Sequence, residues 1–199
     1  AEAGVRKNYY NVSGVPTMVL NGRDHTYLAV TQEEIDENYN SIAFVDIRGA
    51  FKLDGNNINI NIDVMPYTDL NNKRLFVTVN EKTTVENVEV VNGSNSEFHH
   101  IMMKMITGSQ GETINLTEGT YLHFEYSYDM STTFVEDIND LEVAVWIQDY
   151  ETKEVYNSRF LYEYTEHPYP VENLTLNNIN NDIEATWDAP SNGNPTGYN

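Results

Sequence analysis

Ile58-Asn59-Ile60-Asn61-Ile62-Asp63-Val64 sets four branched apolar side chains against three polar ones in strict alternation. Successive side chains of an extended chain point to opposite sides, so this stretch predicts a strand with one face buried and one in water. Residues 47–53 lie before it, joined by the turn formers Asp54-Gly55-Asn56-Asn57, and the three together predict a β-hairpin. The same alternation recurs downstream. Leu75, Val77 and Val79 face one way within residues 74–81. Leu122, Phe124, Tyr126 and Tyr128 alternate with His123, Glu125 and Ser127, and Leu141, Val143, Val145 and Ile147 alternate with Glu142, Ala144, Trp146 and Gln148. Residues 98–106 and 155–164 complete the set, with turns at 108–111 and 151–153. About eight strands in about 125 residues is the pattern of an antiparallel β-sandwich, and residues 41–165 are read as that domain.

Composition supports a mainly β chain. Tyrosine occurs 14 times and apolar residues make up 40% of the 199. β-branched and aromatic residues, punctuated by Asn, Asp and Gly, favour strands and turns. The net charge is −20, from 31 acidic and 11 basic residues. Such a surface repels a phosphate backbone, which excludes nucleic acid as a partner class. With no cysteine anywhere, these residues form no disulfide, thiolate metal site or thiol nucleophile. No apolar run reaches the ~20 residues of a membrane-crossing helix, and residues 1–6 lack the apolar centre of a signal peptide. The two ends read as those of an interior piece of a longer polypeptide.

Near the start stands Tyr10-Asn11-Val12-Ser13-Gly14-Val15-Pro16-Thr17-Met18-Val19-Leu20-Asn21-Gly22. It predicts a strand over 18–20, a turn at Asn21-Gly22 and a second strand over 25–30. Thr31-Gln32-Glu33-Glu34 is a capping box, in which the Thr31 hydroxyl takes the Glu34 amide and the Glu34 side chain reaches back. It opens a helix to about Asn40, with Ile35 and Tyr39 on one face. This β–β–α order behind Gly14-Val15-Pro16-Thr17 resembles the C-terminal half of a thioredoxin-like domain, assigned to residues 1–40. The resemblance implies a cis bond at Val15-Pro16 and a remnant peptide-binding role for Val15 and Pro16. With no dithiol in the chain, the preferred role of the pair is to shape the entry into the strand.

At the other end, His167-Pro168-Tyr169-Pro170 is a short stiff link. Val171-Glu172-Asn173-Leu174-Thr175-Leu176, Ile183-Glu184-Ala185-Thr186-Trp187-Asp188-Ala189-Pro190 and Gly197-Tyr198-Asn199 follow. They resemble the opening strands of a fibronectin type III domain, so residues 166–199 are read as a linker with the first part of one. In the middle, Glu97-Phe98-His99-His100-Ile101-Met102-Met103-Lys104-Met105, Gly111-Glu112-Thr113-Ile114 and Val145-Trp146-Ile147-Gln148-Asp149-Tyr150-Glu151-Thr152-Lys153-Glu154-Val155 resemble a sandwich of Bacteroidetes surface proteins. Among these is the Omp-twenty-eight-related family, in which a thioredoxin-like domain precedes a β-sandwich. The resemblance implies secretion or attachment to the cell surface or outer membrane, and no established activity.

Candidate sites are few. His99 and His100 are neighbours and point to opposite faces of a strand, and His123 lies on another. At most two of them meet, short of the three or four ligands of a zinc site. Asp137, Asn139 and Asp140 offer hard oxygen ligands suited to calcium, as do Asn180, Asn181 and Asp182, without the spacing of an EF-hand. Such residues also favour turns. Ile101, Met103 and Met105 fall on one strand face and Met102 on the other, a core pattern. Tyr121, Tyr126, Tyr128, Tyr150, Tyr156, Tyr162 and Tyr164 are material for a sugar-stacking platform. Asn11, Asn92, Asn115 and Asn173 head glycosylation sequons that an Asn-rich chain produces by chance. No nucleophile with its base stands out, and no catalytic or cofactor-binding residue is assigned.

The expectation is a non-catalytic spacer or interaction module of a modular bacterial surface protein, its partners being neighbouring domains and an extracellular protein or glycan. The alternatives are the non-catalytic part of a thiol-disulfide oxidoreductase-like protein whose Cys-x-x-Cys lies upstream, and an adhesin.

Overall fold

The computed structural model describes residues 2–14, 17–25, 30–85, 97–164, 172–179 and 182–189. Two compact units divide it, Ala1–Glu163 and Tyr164–Asn199. The first begins with helix α1 (Glu2–Tyr9), a short hairpin of β1 (Met18–Leu20) and β2 (Arg23–His25), and helix α2 (Gln32–Tyr39). Eight strands follow: β3 (Val45–Asp54), β4 (Asn57–Pro66), β5 (Leu70–Thr84), β6 (Phe98–Met105), β7 (Glu112–Leu116), β8 (Leu122–Asp129), β9 (Leu141–Asp149) and β10 (Val155–Glu163).

The alternating isoleucines form β4, paired along its whole length with β3 across the turn Gly55-Asn56. The strand path is β6-β5-β9-β10-β3-β4-β8, with β7 on β5. Strand β10 holds the two halves together. From Val155 to Leu161 it runs antiparallel to β9, with a register slip between Val155 and Asn157. Tyr162 and Glu163 then pair in parallel with Ala50 and Phe51 of β3. The expected sandwich is therefore one curled sheet, and its antiparallel pattern is broken at β10–β3. A strand long enough to serve two neighbours in succession turns the sheet back on itself.

Both halves supply one core. Ile47 and Phe51 of β3, Ile58, Ile60, Ile62 and Val64 of β4, Leu75, Val77 and Val79 of β5, and Val143, Val145 and Ile147 of β9 are each at most 2% exposed. Side chains join the two ends of the curl. The Tyr126 hydroxyl on β8 donates to Glu112 Oε2 on β7 at 2.8 Å, and Lys104 of β6 sits 5.3 Å from the Tyr128 ring centroid. Burial first, then the Glu112 carboxylate, hold the Tyr126 phenol far above its ordinary pKa.

Helix α1 and strand β7 go beyond the sequence-based expectation. Helix α1 contains Gly4 and buries no residue fully; a helix this short depends on packing more than propensity. Strand β7 buries only Ile114 and Leu116 among five residues, too little alternation to register. The capping box at Thr31 and Glu34 is formed as expected, while Ile35 and Tyr39 lie exposed on α2. A second strand is observed at Arg23–His25 (β2), so of the strand expected over 25–30 only His25 is strand among the described residues; Val30 is not, and residues 26–29 lie outside them.

The second unit is an antiparallel hairpin of β11 (Glu172–Ile179) and β12 (Asp182–Asp188), with a register slip between Glu172 and Thr175. The proline link at 167–170, Asn180 and Asn181, and Gly197-Tyr198-Asn199 lie outside the described residues.

Candidate functional site

The outer face of the curled sheet carries apolar side chains that the core does not use. Phe76 on β5 and Trp146 on β9 are register partners, and their rings stack at 4.9 Å and 11°. Helix α1 lies over this pair. The Arg6 guanidinium carbon is 4.5 Å from the Phe76 ring centroid, 4.6 Å from Tyr9, 4.8 Å from Tyr10 and 6.0 Å from Trp146. Four aromatic faces thus surround one cation, each contact worth roughly 0.5–2 kcal/mol as it loses water. Arg6 Nη2 donates to the Tyr10 hydroxyl at 2.7 Å, whereas Nη1 is buried without a hydrogen-bond partner.

Polar contacts fix both ends of the helix. Glu2 Oε1 pairs with Lys104 at 2.5 Å, and Glu2 Oε2 accepts from the Met105 amide at 3.2 Å. The Tyr9 hydroxyl donates to the Tyr150 carbonyl at 2.9 Å. Burial, aided by Tyr10, pushes the Tyr9 phenol up to about 12. Gln148, fully buried, donates to the Tyr10 hydroxyl at 3.0 Å and the Lys153 carbonyl at 2.8 Å. The β1–β2 turn meets the same loop. Gly22 has a φ of +82°, and a Cβ there would lie 1.7 Å from the Lys153 carbonyl oxygen. Only glycine fits.

Between α1, the β1–β2 turn and the sheet runs a groove of about 780 Å³. Its floor includes Met102, Met105, Trp146 and Phe160, and Arg6, Lys7 and Arg159 stand along it. No Asp or Glu lines it among the described residues. Met102 and Met105 reach it together because β6 is bulged: Val79 pairs with Lys104, but Asn80 pairs with Met102. The simple alternation that put Met105 with Ile101 and Met103, away from Met102, is thereby corrected, since a bulge shifts the phase by one residue.

The other expected residues are dispersed. Val15, Pro16 and the bond between them lie outside the described residues, as does Asn92. Asp137 Oδ1 accepts from the Asn139 amide at 2.9 Å, and Asp140 Oδ2 accepts from the Thr83 amide at 2.9 Å. Both oxygens thus serve the loop that follows β8. No group of three or more His, Cys, Asp or Glu that could hold a metal occurs among the described residues. His100 pairs with Glu142 at 2.8 Å and His99 with Glu97 at 3.5 Å. His123 pairs with Asp63 at 2.7 Å and Glu125 at 3.3 Å, and these hydrogen bonds, Asp63 first, raise its pKa. The tyrosines form no single platform. Tyr126 and Tyr128 close the curl, Tyr150 stacks near Tyr9, and Tyr156 lies under Lys73. Tyr121 instead lines, with Tyr67, another groove of about 340 Å³ that includes Asp46, Arg48 and Asp63.

Against known families, the chain matches the Outer membrane protein Omp28 family over residues 4–160. The chain belongs to the Omp28 family. Among solved structures, HBP35 of Porphyromonas gingivalis is 12% identical with a TM-score of 0.64, matching 93% of this chain and 66% of its own. That likeness shows a shared fold, and this Omp28-family chain spans 66% of the length of HBP35. A domain of the outer membrane lipoprotein Omp28 from Porphyromonas gingivalis is 14% identical over 63% of this chain and 93% of its own, with a TM-score of 0.43. No curated protein matches the chain. Membership of the Omp28 family associates the chain with the cell surface or outer membrane. No helix among the described residues is long and apolar enough to cross a membrane.

Proposed function

We propose that this Omp28-family chain is a non-catalytic interaction module of a modular cell-surface or secreted protein, working beside neighbouring domains of the same polypeptide. In this reading residues 1–40 are the C-terminal part of a thioredoxin-like domain, 41–165 a β-domain whose single curled sheet encloses its core in place of the two separate sheets of an immunoglobulin- or fibronectin-like sandwich, and 166–199 the start of a fibronectin type III domain. The β1–β2–α2 order, the core shared by β3, β4, β5 and β9, and the β11–β12 hairpin support these three assignments in turn. The observation that carries the functional reading is the groove lining. Among the described residues it offers apolar surface and cations but no cysteine, histidine or carboxylate, so the Ser158 hydroxyl in its wall has no such base in the lining to activate it. The test is incubation of the purified chain with chromogenic esters, glycosides, phosphate esters and a peptide, with and without divalent cations. No turnover is expected. Saturable turnover that a groove substitution such as Phe160→Glu abolishes would overturn the reading.

A second reading, glycan binding, draws on the Tyr67–Tyr121 groove. Both rings are more than half exposed, and Arg48 and Asp46, paired at 2.7 Å, lie beside them. Apolar ring faces with adjacent bidentate polar groups suit a sugar. Binding on a glycan array that is lost in Tyr67→Ala and Tyr121→Ala would support it; an array with no signal from the unaltered protein would remove it.

A further inference from the structure

We propose that the groove beneath α1 holds a single-chain amphiphile with a carboxylate head, a long-chain fatty-acid anion. The proposal rests on the reading of this chain as a non-catalytic binding module and names the ligand class.

Size comes first. At about 780 Å³ the groove falls within the ~300–1,000 Å³ of small-molecule sites. Its floor is flexible or aromatic: Met102, Met105, Trp146 and Phe160. Thioethers and rings adapt to an acyl chain, which asks for no hydrogen bonds.

Charge decides the head group. The chain carries 31 acidic and 11 basic residues, yet among the described residues three of those basic residues line this groove and no acid does. The lining is thus locally cationic, with Asp46, outside the groove, paired to Arg159 at 3.9 Å. The three cations differ in their duties. Arg6 is a wall of the groove, its charge held among Tyr9, Tyr10 and Phe76. Lys7 is exposed and makes no ion pair among the described residues. Arg159 donates to the Ile47 carbonyl at 3.3 Å and lies 3.9 Å from Asp46, contacts that leave most of its five N–H groups for another acceptor. Lys7 and Arg159 are therefore the carboxylate partners, and the apolar floor takes the chain.

The test uses the full chain carrying Trp187→Phe, so that Trp146 is the sole tryptophan. The probe is cis-parinaric acid, a polyene fatty acid that accepts energy from tryptophan. Saturable quenching of Trp146 is expected. Unlabelled carboxylates should displace the probe about four-fold more tightly per added methylene until the floor is filled. The alcohol of equal length should compete about two- to five-fold less well. Lys7→Gln with Arg159→Gln should bring the carboxylate down to the alcohol and leave the alcohol unchanged. Phe160→Glu should abolish carboxylate binding; Phe160 is 57% exposed, so its replacement spares the core. Methyl NMR signals of Met102 and Met105 should shift with the probe, which places it independently of the variants. Equal competition by alcohol and carboxylate, no quenching below the micelle concentration, or binding only to anionic phospholipid vesicles with Trp146 emission unchanged would each overturn the proposal. Recovery of a chemically converted probe would instead overturn the non-catalytic reading.

Discussion

At the residue scale, two carboxylates show how this acidic chain uses its charge inward. Glu81 is fully buried at the end of β5, and its Oε1 accepts from the Glu136 and Asp137 amides at 2.8 and 2.7 Å. It ties the loop after β8 to the sheet. Glu81→Ala leaves those amides without their acceptor and should cost about 1–3 kcal/mol, read as a lower urea midpoint with unchanged slope. Asp149 pairs with Lys73 at 2.5 Å and accepts from the Glu151 and Thr152 amides at 2.9 Å. Lys73 first, then the amides, lower its pKa from 3.8 to about 2. A depressed carboxyl stabilises the fold above its unfolded pKa and loses that contribution as pH falls through the folded one. Asp149→Asn should therefore lower stability by roughly 2 kcal/mol near neutral pH, and the gap to the unaltered protein should close between about pH 4 and 2. A gap that persists at pH 2 would show that shape, not charge, matters at this position. Neither residue stands out in the sequence. Their partners lie on other elements, 55 residues or more away, or in a turn whose hydrogen bonds no residue pattern displays.

At the element scale, what was legible is what is local. The hairpin at 54–57 and the capping box were written in adjacent residues, and both formed. The bulge in β6 was not, because Met102, Met103 and Lys104 carry no turn signal; only the pairing with β5 reveals it. Helix α1 was hidden for a related reason. Its partners Phe76, Trp146 and Gln148 lie far along the chain, so nothing nearby marks it. The two helices should then respond differently to damage. Helix α2 buries no residue, so Thr31→Ala, at about 1 kcal/mol for a lost cap, should speed amide exchange at Gln32 to Ile35 without changing the global unfolding midpoint. Arg6→Ala should loosen α1, speed proteolysis at residues 10–17 and red-shift Trp146 emission while the far-ultraviolet strand signal persists. Loss of that signal instead would show that α1 belongs to the folding core.

At the scale of the whole molecule, the first unit is a curled sheet with two working surfaces. The inner face is the core that the alternating strands announced. The outer face of β5, β9 and β10 holds the N-terminal segment and, beside it, the cation-lined groove. The curl depends on β10 serving β9 and β3 in turn, an arrangement invisible in residues 155–163, which read as one ordinary strand. The groove was equally unreadable, since its lining draws on residues from Ala3 to Phe160. Both the N-terminal segment and the groove depend on the packing of α1 against the Phe76–Trp146 pair. The most direct test is NMR of the Arg6 side chain in the Trp187→Phe protein. Ring-current-shifted Arg6 methylene protons, with cross-relaxation to the Phe76 and Trp146 rings, are expected. Arg6 signals at unshifted positions, with Trp146 freely quenched by iodide, would contradict the account.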